Sequence, residues 1–434
     1  MSVDVPTSPA GAALPVWRDP AAWARTADVV AVALALALPW STSLVGIFAV
    51  AWFAVVVPTF DARRLAWFLK QPVCVLPIAI FALAAVGTLW SNAPWGARIY
   101  AIGPTAKLLV LPFLLYHFAR SERGLWVFVA FLVSCALLMA MSWVVAIYPQ
   151  LSIKPQVDYG VPVKNYIDQS QEFALCSVAL AYPVVRFFGQ RRFVLAAVLL
   201  ALALSFVVNM MFVVVSRTAL VGMPVMLVVF ALLHLNRRGM LVTLCLTAAL
   251  AGTAWLASPH LQAKTHSFFS DYKIYEQRNG ATSIGLRIEF WKKSFHFFAE
   301  APLIGHGTGS TRGLFERAAV GRTGGASAEA IGNPHNQTLN AAVQWGLLGV
   351  IVLYAMWLVH LLLFRGEGLA SWLGLLVVVQ NVMGSLFNSH LFDFHEGWMY
   401  VLGVGVAGGM VLGSKASEPL GQTAPLNPTG NFVK

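Results

Sequence analysis

Apolar runs of about 17–25 residues, almost free of charge, follow one another along this chain, and that length matches a helix crossing a hydrocarbon core of about 30 Å. Inside a bilayer every backbone polar group must be satisfied within the segment, which leaves helices as the structure for such runs. The composition agrees. Hydrophobic residues make up 58% of the 434 and charged residues only 11%, where soluble domains carry about 25% charge. The expected fold class is all-α: a polytopic integral membrane protein of about twelve transmembrane helices. Their centres fall near Leu36, Phe53, Phe81, Val110, Leu132, Ala179, Ala201, Leu227, Leu246, Leu353, Val378 and Val404. Pro39 cuts the first run short and leaves the first two spans almost touching.

The spacing of the runs divides the chain. Residues 1–26 read as a polar N-terminal tail, 27–257 as nine transmembrane helices and 258–337 as one long loop with amphipathic helices. Residues 338–413 read as three more transmembrane helices and 414–434 as a Pro/Gly/Thr-rich disordered tail. The N-terminal segment lacks the charged start and apolar core of a cleavable signal peptide.

Orientation follows from the short loops. With the N-terminus cytoplasmic, the inner loops hold Arg63, Arg64, Lys70, Arg120, Arg123, Arg186, Arg191, Arg192, Arg237, Arg238 and Arg365, against Asp61, Glu122 and Glu367. That asymmetry is a positive-inside signal. It places both termini in the cytoplasm and the long loop outside. The net charge of +11 is then a topology signal, and no nucleic-acid partner is expected.

The cysteines Cys74, Cys135, Cys176 and Cys245 all fall in apolar runs, with no CxxC and no Cys/His pairing at zinc spacing. They read as small apolar fillers. No Walker A pattern is present, so ATP-driven transport finds no support, and neither a cofactor nor a metal is expected.

Polar residues concentrate in three outer zones. The first is the loop Lys154 to Glu172, which contains Lys164, Gln169 and Gln171. The second is Ser216-Arg217-Thr218. The third is the long loop, continued by Asn388 to Glu396 between the last two spans. Half of the ten histidines lie in the long loop. Arg217 stands between two apolar runs without a spacer. Such a charge either snorkels to headgroups or meets a partner or cavity. No carboxylate is near it in sequence, so an external anion is the expected partner.

Arg287 lies in an amphipathic stretch with Leu286, Phe290, Trp291 and Phe295 at helical spacing. It reads as a helix on the membrane surface, with Arg287 either solvated or a bidentate donor to phosphate. His335, in Asn333-Pro334-His335-Asn336, is either part of a turn and helix cap or a general base near pKa 6.5. Asp393 is an outward carboxylate that could orient His335. His306 reads as part of a glycine turn, and His260, His266 and His296 as surface residues.

The ordered set Val215-Ser216-Arg217-Thr218-Ala219-Leu220, Arg287 with Trp291, Pro302-Leu303-Ile304-Gly305-His306-Gly307 and Pro334-His335-Asn336 resembles the O-antigen ligase and polymerase superfamily of bacterial membrane proteins. The resemblance covers roughly residues 160 to 400. It implies a metal-independent, GT-C-like glycosyltransferase of the inner membrane, acting on the periplasmic side. An O-antigen ligase takes polysaccharide from undecaprenyl diphosphate and joins it to lipid A-core, completing lipopolysaccharide. Its partners are thus the lipid-linked donor, the lipid A-core acceptor and membrane lipids.

The family's essential arginines and histidine fall on Arg217, Arg287 and His335. Two arginines would stabilise the departing diphosphate in place of a metal, and His335 would activate an acceptor hydroxyl for inverting attack. Lys164, Gln169, Gln171, Asn336 and Asp393 are candidates for holding sugar or diphosphate. O-antigen polymerase and protein O-oligosaccharyltransferase are the alternatives within the superfamily. A lipid or polysaccharide transporter is the alternative outside it, although mid-span carboxylates, which a transporter calls for, are lacking.

Overall fold

A computed structural model describes residues 19–154 and 158–417, and in that range every regular element is helical. The expected tails lie mostly outside the described residues, as does the side chain of His260. The first helix already begins at Pro20 and the last continues to Ser417, so both helices extend into stretches expected as tail.

The chain opens with α1 (Pro20–Ala37) and α2 (Thr42–Val56), then α3 (Ala62–Leu69) and α4 (Pro72–Val86). Next come α5 (Trp95–Ala106) and α6 (Leu111–Phe118), joined by a 3-10 turn, and α7 (Gly124–Ile147). The middle holds α8 (Tyr166–Ala179), α9 (Ala181–Gly189), α10 (Phe193–Phe212), α11 (Arg217–His234) and α12 (Arg237–Ala257). The long loop folds into α13 (Pro259–Arg278), α14 (Ser283–Glu300) and α15 (Thr311–Ala319). The chain then returns through α16 (Gln337–Leu363), α17 (Leu369–Gly384) and α18 (Phe394–Ser417).

Side-chain caps set many of these starts, each accepting an orphan amide of a first turn. Asp19 caps α1, Ser41 α2, Asp61 α3, Asn165 α8, Ser258 α13, Thr282 α14 and Asn336 α16. Pro39 falls in the turn that separates α1 from α2, as its place in the sequence requires.

Ten helical segments are long and apolar enough to span a membrane, and the pair α3 and α4, bent by 74°, would make an eleventh. The expected count of about twelve differs because α17 is only 16 residues long. All twelve expected centres nevertheless fall in helical segments.

Packing is uneven. α18 threads the centre of the bundle, with 78% of its span buried. Gly405, Gly408, Gly409 and Gly413 form a stripe on α18 against Leu114, Leu115, Phe118 and Ala119, where a Cβ would collide. Small residues let two helix backbones approach closely in lipid. The main apolar core gathers around this helix, from Ala27 to Val411.

A separate small core of Phe290, Phe297, Leu314, Phe315 and Val343 joins α14 and α15 to α16. α14 is therefore no free-lying surface helix. Its Phe290 and Phe297 are buried while Phe295 is exposed, so the apolar stripe faces α15 and α16 instead of lipid headgroups.

Candidate active site

Three chain segments meet at one end of the bundle. The first is the start of α16. Asn333-Pro334-His335-Asn336 grips the connection between α17 and α18 through a set of hydrogen bonds. Ser389 Oγ donates to Asn333 Oδ1 (2.6 Å), Asn336 Nδ2 donates to Leu386 O (3.0 Å) and Asn340 Nδ2 donates to Ser389 Oγ (3.1 Å). The Gln337 amide donates to Ser385 O (2.9 Å). Asn336 also caps α16 by accepting from the Leu339 amide. Its side chain is thus committed to structure at both ends.

Within this clasp His335 has φ +52°, a left-handed conformation that non-glycine residues rarely adopt. Asn333 Oδ1 accepts from its backbone amide (3.0 Å), and the imidazole Nδ1 lies 2.7 Å from Asn388 Oδ1. The partner of His335 is therefore Asn388. Asp393 faces the other way, 3.3 Å from His390 Nδ1.

The second segment is α14. The Phe290 ring centroid is 6.1 Å from that of His335, and Arg287 lies three residues earlier, a neighbour of Phe290 on the helix surface. Arg287 is half-buried and hydrogen-bonds Ser283 Oγ (3.3 Å). Burial lowers its pKa, Tyr166 opposes that shift, and the nearby positive charge of Arg217 adds to it. The two arginines are thus close enough to repel each other. Guanidinium groups stay protonated regardless, so the site keeps concentrated positive charge.

The third segment is the start of α11, where Arg217 Nη2 donates to Ser267 Oγ (2.5 Å) and to Asp271 Oδ2 (3.3 Å) of α13. A carboxylate 54 positions away, which the local sequence does not disclose, supplies its counter-charge in this structure. The pair remains partly solvent-accessible, at 29% and 20%, which leaves room for an incoming anion to compete.

The remaining expected contacts lie deeper. Lys164 is buried, donating to Leu38 O and to Glu172 Oε1 (3.0 Å). Gln169 is buried and donates to Gly160 O. Gln171 accepts from Gln380 Nε2 through its backbone and side-chain oxygens. None of these three reaches the arginines or His335 through a contact seen here. Their place is in a polar core that also holds Asp168 paired to His395 (2.7 Å).

His390, Asp393 and Glu396 lie in the same core with ligand atoms within 4.8 Å of one another. The Lys107 ammonium donates to the Phe392 and Asp393 carbonyl oxygens beside them. Burial alone would lower the His390 pKa, but the Glu396 and Asp393 carboxylates outweigh it and push the imidazole up to about 10. The protonated imidazole and the Lys107 ammonium face the Asp393 and Glu396 carboxyl groups in one mixed-charge cluster.

His306 Nε2 donates to the Phe297 carbonyl (2.7 Å), and the residue sits between Gly305 and Gly307, both at positive φ and packed against Gln344 and Ser91. It belongs to a turn, as expected. His296 is exposed beside Glu300. Cys74, Cys135 and Cys176 are buried, whereas Cys245 is exposed on α12. An apolar crevice of about 310 Å³ lies among α7, α8, α17 and α18, lined by Leu132, Cys176, Val377 and Met399. Its walls are apolar and carry no charged side chain.

Sequence reasoning singled out the arginines and His335 but missed Asp271, Ser267 and the role of Asn388. Asn388 stood in a polar zone between two spans, yet no local pattern ties it to residue 335.

Residues 200–355 fit the family model described as O-antigen ligase (Wzy_C), and that range contains Arg217, Arg287 and His335. A stretch of 144 residues is 27% identical to an uncharacterized protein of Haemophilus influenzae, covering 32% of this chain and 36% of that relative. The family-model match, together with the ordered Ser-Arg, loop-arginine and Pro-His-Asn motifs on a polytopic helical bundle, supports a place for this chain in the O-antigen ligase and polymerase superfamily.

Proposed function

We propose that the protein is an O-antigen ligase, transferring polysaccharide from undecaprenyl diphosphate to a sugar hydroxyl of lipid A-core at the periplasmic face of the inner membrane. The observation that carries this reading is the convergence of two mutually repelling arginines and one histidine through α14, whose Phe290 abuts His335 one turn from Arg287. A departing diphosphate develops negative charge, and preorganised guanidinium groups stabilise it where it forms. Arg217 and Arg287 take that role, so the positive charge comes from the protein and the reaction is metal-independent in this reading.

His335 removes the proton from the acceptor hydroxyl as the oxygen attacks the anomeric carbon. The carbon–oxygen bond to the diphosphate breaks on the opposite face, and the configuration inverts. The arginine asymmetry of the short loops orients this end of the bundle outward, with both termini cytoplasmic. The apolar crevice beneath supplies surface suited to a polyprenyl chain.

Replacing His335 with Ala in the native host tests the reading. Lipopolysaccharide should lose its O-antigen while lipid-linked polymer accumulates. Disappearance of the lipid-linked polymer would instead assign the chain to polymerisation or flipping.

A further inference from the structure

Asn388 belongs to none of the motifs that mark this superfamily here, yet its side chain hydrogen-bonds the His335 ring at 2.7 Å. We propose that Asn388 is a positioning residue: its side-chain carbonyl accepts the Nδ1 proton and leaves Nε2 of His335 free as the base. This rests on the reading of His335 as general base and deepens it.

The argument begins with the backbone. At φ +52° the His335 side chain leaves the chain in a direction that ordinary helix or loop geometry would not give. The clasp fixes both sides of the contact. Asn333 Oδ1 holds the His335 amide and Ser389 Oγ, and Asn336 Nδ2 holds Leu386 O. Asn388 sits between those last two anchors, adjacent to Ser389. The distance between imidazole and amide is therefore set by anchors on either side of each residue.

Tautomer follows from which amide atom faces the ring. A neutral imidazole carries one proton, and the nitrogen bound to an acceptor is the one that keeps it. With the carbonyl oxygen of Asn388 toward Nδ1, the proton stays on Nδ1 and Nε2 offers its lone pair. The opposite amide orientation would protonate Nε2 and remove the base. A carboxylate at this position would fix the same tautomer but also stabilise the imidazolium, holding the proton more tightly after it is taken. An amide orients the ring without that added retention.

The other charged or titratable groups on elements packed around His335 are Arg287, Glu289, Lys292, Lys293, His296 and Glu300 on α14, and Arg312, Glu316 and Arg317 on α15. His390 and Asp393 lie on the connection to α18, and the first turns of α16 carry no charge. Among the described residues none of these hydrogen-bonds the ring, and the side chain at 388 does, which makes residue 388 the direct lever on its protonation.

The test uses the full-length purified protein, lipid-linked polysaccharide as donor and lipid A-core as acceptor, with initial rates measured across pH. Asn388→Asp should retain transfer, with the acid limb of its pH–rate profile displaced to higher pH by about one unit, since a carboxylate neighbour favours the protonated ring. Asn388→Ala should lose about 100-fold in kcat with KM for both substrates within about twofold, the pattern of a misplaced base.

Gel filtration and thermal melting establish that each variant is folded. If Asn388→Ala does not fold, the Asn388→Asp profile decides alone. A folded Asn388→Asp whose acid limb coincides with that of the unsubstituted protein overturns the inference. His335→Ala separates the two levels. If it abolishes transfer while the Asn388→Asp profile stays put, only the positioning role fails. If His335→Ala transfers normally, the base reading itself fails.

Discussion

α18 and α12 are both apolar helices of span length, yet one buries 78% of its span and the other none of it among the described residues. The difference separates the two walls of the site. His335 is clasped to the connection that leads into α18, at the densest part of the bundle. Arg217 leans on Ser267 and Asp271 of α13, which continues from the lipid-facing α12. The proposed base is thus built on the core and the proposed arginine wall on the periphery. A general base gains from fixed geometry, whereas a diphosphate site must open to admit a large lipid-linked donor. The comparison predicts that substitutions near α18 act through folding and kcat, and those near α13 through donor affinity.

The core side should break hardest. His390→Ala would strip the buried Glu396 and the partly exposed Asp393 of their imidazole partner, and removing one partner of a buried pair costs about 3–5 kcal/mol. The pH dependence has a definite sign. Because the folded-state pKa is raised to about 10 from 6.5, the stabilisation is fully present below about pH 6.5 and is lost as pH rises through about 10. Melting temperatures of the detergent-solubilised protein between pH 6 and 10.5 should fall across that window, and His390→Ala should flatten the fall. A flat profile in the unsubstituted protein would remove the charged cluster as a support of the α18 connection.

Next in size is Arg287→Ala, which should lower kcat/KM by about 100-fold or more, the usual effect of deleting a donor to developing negative charge. Arg287→Lys should rescue little, because an ammonium lacks the planar fork that grips two oxygens. Full rescue by Lys would mean that Arg287 acts only as a point charge. A weaker effect, about 1–3 kcal/mol of stability with a loss of kcat, is expected for Asn333→Ala, which frees both the His335 amide and Ser389 Oγ. Intact kcat in that variant would show that the clasp does not hold the base.

Which of these features the sequence discloses depends on how far apart the partners lie. Span positions are legible because hydrophobic length is a local property, and even the shortened α17 was located at Val378. Arg217, Arg287 and His335 are legible because their residue types stand out against apolar surroundings. The contacts that complete the site are not. Asp271 is 54 positions from Arg217 and Asn388 is 53 from His335, and their pairing depends on how α13 and the α17–α18 connection fold back. α14 misleads for a similar reason. Its apolar stripe is visible in the sequence, but what covers that stripe, Phe315 and Val343, comes from elements that lie well beyond it in the chain.

Asp271→Asn is the subtlest way to sharpen the contrast between the walls. In the resting protein Asp271 neutralises part of the Arg217 charge across 3.3 Å. An incoming diphosphate carries more charge than one carboxylate and can displace it, but must then compete with it. Removing the carboxylate charge while keeping its shape should lower the donor KM by about two- to fivefold, since exposed ion pairs contribute about 0.2–1 kcal/mol, and kcat should stay within about twofold. The effect should fade with added salt, because screening weakens a partly solvent-accessible pair. A raised donor KM in Asp271→Asn would mean that the carboxylate aims the arginine instead of occupying it, and the arginine wall would then be as preorganised as the base.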